Sequence, residues 1–113
     1  MCTKSELKIV LQEVENASKQ LYGDKLNKII LYGSYARGDN TEESDIDIMI
    51  ILDGDIDDVK KMRSLTAEMA SNISIEQEVF LSIVLRDKKH FEDSLDFLPF
   101  YQNIEREGIN YEK

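Results

Sequence analysis

Apolar positions along the chain switch between two spacings, and the switches mark its elements. Leu7, Val10, Leu11, Val14, Ala17 and Leu21 recur at intervals of three and four, which predicts an amphipathic helix. Thr3 and Glu6 offer a capping box at its start, and Gly23 offers a stop. Residues 27–32, with the run Ile29-Ile30-Leu31-Tyr32, predict a first strand. Residues 45–52 predict a second, because Ile46, Ile48 and Ile50 alternate with Asp45 and Asp47. The turn Asp53-Gly54-Asp55 leads into a helix over about 56–71, with Ile56, Val59, Met62, Leu65 and Met69 as its buried stripe. Residues 73–85 predict a third strand, strongest over 79–85, where an unbroken apolar run suits a central strand covered on both faces. Residues 91–97 read as a short helical or irregular piece. Pro99 opens a last helix that Gly108 closes, and residues 109–111 run along the edge of the core. The predicted fold is α/β: a small mixed sheet of three main strands with flanking helices.

Composition narrows the class. With 113 residues the chain fits one domain, 1–113, and no repeat, linker or low-complexity stretch divides it. No apolar run is long enough to span a membrane, and the first residues lack the pattern of a secretory signal, so a cytoplasmic protein is expected. Cys2 is the single cysteine, which excludes an internal disulfide and a cysteine-rich zinc site. The formal net charge of −9 argues against autonomous binding to nucleic acid, which needs a cationic face. It suits a basic partner instead.

The chemistry concentrates in residues 33–52. Gly33 follows the first strand at once and permits a tight turn with close approach to the backbone. Ser34 adds a hydroxyl and a backbone N–H near a helix start, where phosphate oxygens are well received. Residues 35–38 make one helical turn. Arg37 is either a cation that steadies phosphates or one half of a surface ion pair. Asp45 and Asp47 lie two apart on the predicted strand, with Cα atoms about 6–7 Å apart on one face. Two such carboxylates at 4 Å repel by about 4 kcal/mol at an effective dielectric of 20, and a divalent cation reverses the sign. Mg²⁺ takes one or two carboxylates together with substrate phosphates and water, so the pair suits two-metal phosphoryl or nucleotidyl transfer. Asp53, Asp55, Asp57 and Asp58 do not fit a calcium loop and read as a solvated, helix-capping cluster. His90 reads as a surface or structural residue. Phe91, Phe97, Phe100 and Tyr101 are assigned to core or interface.

Gly33-Ser34, ten intervening residues and then Asp45-Ile46-Asp47 resembles the signature of the DNA polymerase beta-like nucleotidyltransferases. The fuller string GSYARGDNTEESDIDIMI is similar to the minimal nucleotidyltransferases, often antitoxins paired with HEPN ribonuclease toxins. Residues 98–108 resemble the tail of the same group. The resemblance implies that Gly33 and Ser34 hold the triphosphate of ATP and that Asp45 and Asp47 bind Mg²⁺. It also implies a third carboxylate from a later strand, for which Glu78 is the best match, although many relatives carry Asp there.

Three functions follow from that resemblance. The first is Mg²⁺-dependent transfer of AMP from ATP to a tyrosine of a HEPN toxin, in an assembly with that partner. The second is an antitoxin that masks the toxin without chemistry. The third is nucleotide transfer to a small molecule.

Overall fold

The computed structural model describes residues 4–41, 44–94 and 109–111. Helix α1 (Lys4–Tyr22) runs through a 3₁₀ turn (Gly23–Lys25) into strand β1 (Leu26–Tyr32). A single helical turn, α2 (Ser34–Arg37), follows, then β2 (Ile46–Leu52), α3 (Ile56–Gln77), β3 (Leu81–Asp87), α4 (Lys88–Ser94) and β4 (Ile109–Tyr111). The strands form one mixed sheet in the order β3-β2-β1-β4. β1 is antiparallel to both β2 and β4, whereas β2 and β3 run parallel. A parallel pair needs a long crossover, and α3 supplies it.

The period of two along β2 divides the core. Ile46, Ile48, Ile50 and Leu52 face α1 and α3, where they meet Val10, Leu11, Val14, Val59, Met69 and Ile73. Met49 and Ile51 face the other way, toward Ile30 and Phe91 of α4. β2 is therefore covered on both faces and is buried at all but one of its seven residues. An irregularity between Leu26 and Lys28 lets Leu26 and Ile29 enter the same core cluster despite their odd spacing. Inside that layer the Tyr22 hydroxyl and Thr66 Oγ1 lie 2.5 Å apart, joining α1 to α3, and Thr66 Oγ1 also donates to the Met62 carbonyl.

Four expectations need correction. β3 is an edge strand with mostly half-buried residues, and the central place belongs to β2. The third strand begins at Leu81 rather than 73, because α3 continues six residues past Ser71 and buries Ile73 on its own stripe. That stripe uses Thr66 in place of Leu65. Leu65 and Ile56 are exposed, while Thr66 is buried because two hydrogen bonds satisfy its hydroxyl. Asp45 stands just outside the β2 ladder, which opens at Ile46. The Thr3 cap, Cys2, and the expected helix over 99–108 with its aromatic residues lie outside the described residues. The acidic cluster does cap α3: Asp58 N donates to Asp55 Oδ1 and Asp55 N donates to Asp58 Oδ2, both at 3.1 Å.

Candidate active site

β1 delivers Gly33 to the end of the sheet beside β2. Tyr32 pairs with Asp47, so the next residue must leave the ladder next to that aspartate. Gly33 turns there with φ 76° and ψ −156°, a backbone state that L side chains rarely adopt. A Cβ on Gly33 would collide with the Asp47 carboxylate. The Gly33 carbonyl accepts from the N–H groups of Ala36 and Arg37, both at 3.1 Å, which closes α2. Gly38 ends this turn in the left-handed region, with its N–H donating to the Ser34 carbonyl at 2.9 Å.

The two aspartates differ in setting. Asp45 is exposed, whereas Asp47 is half-buried against the turn. Burial raises the Asp47 carboxyl above the usual carboxylate range. The Asp45 charge adds to the rise, and Arg37 opposes it. Arg37 itself is exposed and pairs with Asp39, Nε to Oδ2 at 3.2 Å. Of the two sequence readings of Arg37, the surface ion pair is present, and the Arg37 charge also reaches Asp47. The loop before the pair closes on itself, with Thr41 N donating to Ser44 Oγ at 2.8 Å and Ser44 N donating to the Thr41 carbonyl at 3.1 Å.

Glu78 does not open a strand. It is the C-cap of α3, exposed, with φ 55° and ψ 45°, and its N–H donates to the Ser74 carbonyl. Among the described residues no three Asp, Glu, His or Cys side chains converge on a common cation position. The structure sets the Asp47 carboxylate against Gly33, with Ser34 next in the chain and the Asp45 charge acting on Asp47, and it puts Glu78 at a helix end instead of on a strand. The residues beside Asp47 in the sheet are Tyr32 on β1 and Ser82 on β3. Neither was singled out from the sequence, because their places depend on strand order. The signal lay in the parallel register that a strand–helix–strand unit imposes.

The remaining pair fits a divalent cation. Two carboxylates two residues apart, Asp45 just before β2 and Asp47 on it, with Asp47 partly desolvated and raised further by Asp45, form a donor set that a cation relieves. The missing side chain at Gly33 lets the Asp47 carboxylate lie against the turn, in the place a Cβ would take. A groove of about 360 Å³ between α1 and α3, where Gln20, Glu68 and Asn72 join an apolar lining, offers a single carboxylate and no glycine turn.

Known proteins place this arrangement in a class. The fold is shared with a crystal structure of a toxin–antitoxin with AMP-PNP, at TM-score 0.59 and 19% identity over 90% of this chain and 73% of that one. A crystal structure of a variant of the toxin–antitoxin MntA-HpeT aligns at TM-score 0.56 and 20% identity, over 89% and 70% of the two chains. These show a shared fold. The family model described as nucleotidyltransferase domain matches residues 11–109, and the chain belongs to that family of enzymes. It is 36% identical over 98 residues to MJ0604 of Methanocaldococcus jannaschii, a protein provisionally named a protein adenylyltransferase, with 87% of this chain and 90% of that one covered. The similarly named MJ0141 of the same organism is 33% identical over 84 residues, 70% of this chain and 78% of its own.

Proposed function

We propose that this chain transfers AMP from ATP to a hydroxyl of a partner protein, a tyrosine of a HEPN-type toxin, and thereby acts as its antitoxin. The observation that carries this reading is the contact of the Asp47 carboxylate with the Gly33 turn, which sets a cation site against a phosphate seat. Residues 1–113 act as one minimal nucleotidyltransferase domain, and the names of the M. jannaschii relatives support a protein acceptor.

Gly33 and Ser34 receive the triphosphate, and Asp45 and Asp47 hold Mg²⁺. When bound, Mg²⁺ neutralises the charge of carboxylates and phosphates in one place. Arg37 adds a cation that steadies the phosphates. The acceptor oxygen bonds to the α-phosphorus as the bond from that phosphorus to the β-bridging oxygen breaks, and pyrophosphate leaves with the electrons. The hydroxyl proton passes to the carboxylate pair. The net charge of −9 suits a basic ribonuclease as partner and gives no cationic track for nucleic acid.

The test is incubation of the chain with α-labelled ATP, Mg²⁺ and the protein encoded by the adjoining gene. Label is expected on that protein and is expected to vanish with Asp45→Asn. One observation favours a masking antitoxin instead: no third acid joins the pair among the described residues. Toxin neutralisation that persists in Asp45→Asn/Asp47→Asn would select that reading.

A further inference from the structure

The edge strand places an aromatic residue beside the acid pair. β2 and β3 are parallel, with Ile46 opposite Leu81 and Asp47 opposite Ser82. Ile46 N donates to the Phe80 carbonyl at 2.7 Å, which closes the Ile46–Leu81 pair and leaves Asp45 and Phe80 as the residues that immediately precede the paired ladder on the two strands. The two faces of β3 are distinct. Leu81, Ile83 and Leu85 pack with Ile46, Ile48 and Ile50 under α1 and α3, whereas Val84 packs with Met49 and Ile51 on the opposite face. Alternation assigns Phe80 and Ser82 to the face of Val84, Asp45 and Asp47. Phe80 is 74% exposed there, although the core lies one residue away at Leu81.

The order of strands gives that ring a direction. The phosphate seat at Gly33 and Ser34 lies on the β1 side of β2, and β3 lies on the other side. In an in-line displacement the leaving group and the attacking oxygen stand on opposite sides of the phosphorus. With pyrophosphate departing toward Gly33, the attacking hydroxyl arrives over the β3 edge, past Phe80.

We infer that Phe80 seats the acceptor: its exposed ring, next to Asp45 and across β2 from the phosphate turn, packs against the planar ring of the tyrosyl side chain that attacks. This inference rests on the proposed transfer of AMP to a protein hydroxyl. Aromatic rings favour offset or edge-to-face packing, which fixes where the phenol oxygen lies. Serine and threonine hydroxyls offer no ring to this surface. Phe80 acts as a positioning residue and takes no proton.

The experiment is a steady-state assay with α-labelled ATP, Mg²⁺ and the adjoining gene's protein as acceptor, run on wild type, Phe80→Ala, Phe80→Tyr and Ile75→Ala. Ile75 is 75% exposed on α3 and controls for loss of any surface apolar group. Phe80→Ala is expected to raise the acceptor KM roughly fivefold, the scale of one lost aromatic pair, and to leave the ATP KM unchanged. Phe80→Tyr is expected to behave as wild type, and Ile75→Ala likewise. An unchanged acceptor KM in Phe80→Ala overturns the inference while the transferase reading stands. A rise in the ATP KM instead would assign the ring to the nucleotide base and also overturn it. No label transferred by the wild-type chain overturns the transferase reading, and the role of Phe80 with it.

Discussion

Gly33 and Asp47 compete for one volume: the Asp47 carboxylate occupies the place that a side chain on residue 33 would take. The pairing of Tyr32 with Asp47 makes this unavoidable, since the chain turns out of the sheet at the very next residue. The turn proposed to receive phosphate and the carboxylate proposed to hold a cation are thereby locked together by β1–β2 register.

Gly33→Ala tests that lock. The substitution forces an L residue to φ 76° and drives its Cβ into the carboxylate. Strain of this kind costs about 1–3 kcal/mol. Urea denaturation is expected to show a loss of that size, and nucleotide transfer is expected to fall with it, because Asp47 must move.

Asp47→Asn separates stability from function. Burial and the Asp45 charge raise the folded-state proton affinity of Asp47 above its unfolded value. An ionised Asp47 therefore costs stability above its folded pKa, and the cost disappears as pH falls below the unfolded value near about 3.9. Asp47→Asn is expected to raise Tm at pH 7 and to lose that advantage near pH 4, while transfer is abolished at both. Thermal melts of the two proteins at the two pH values check the sign.

Glu78→Gly decides the role of the third acid. Glu78 is, among the described residues, the one non-glycine residue with positive φ. Glycine removes about 1–2 kcal/mol of left-handed strain at such a cap. The variant is expected to melt about 4 °C or more higher, on the size scaling of a domain near 100 residues, with transfer unchanged. A collapse of transfer would return Glu78 to the metal site.

Asp55→Ala removes one half of the α3 capping box and is expected to cost about 1 kcal/mol in chemical denaturation. Its partner Asp58 gives the same box a pH signature. A hydrogen bond from the backbone at Asp55, and then Lys25 at 3.3 Å, lower the Asp58 pKa. The stabilisation is present above the unfolded carboxylate range and is lost as pH falls through the folded value, so acid melts should show the loss of this cap below about pH 4.

The functional stretch was legible in the sequence because its signals are local. An apolar run, a glycine turn and alternating aspartates each need only their neighbours, and the two strands of this stretch form at Leu26–Tyr32 and Ile46–Leu52, against 27–32 and 45–52 expected. What sequence reading missed depends on distant partners. Ile73 and Ile75 alternate as in a strand, yet Ile73 extends the α3 stripe of Val59, Thr66 and Met69, and Ile75 is exposed. Thr66 was passed over as polar, but Tyr22 and the Met62 carbonyl satisfy it. The apolar run over 79–85 suggested a central strand. It became an edge because β2 took the place between β1 and β3. Glu78 likewise lies off the expected strand: the helix ends there, three residues before the strand at Leu81.

The most direct measurement is calorimetric titration of the chain with a non-hydrolysable ATP analogue, with and without Mg²⁺, in wild type and in Asp45→Asn/Asp47→Asn. Binding by wild type is expected to require Mg²⁺, and the folded double variant is expected to bind at least tenfold more weakly, about 1.4 kcal/mol. Equal affinity of the two proteins in the presence of Mg²⁺ would contradict the assignment of the cation and nucleotide to this carboxylate pair.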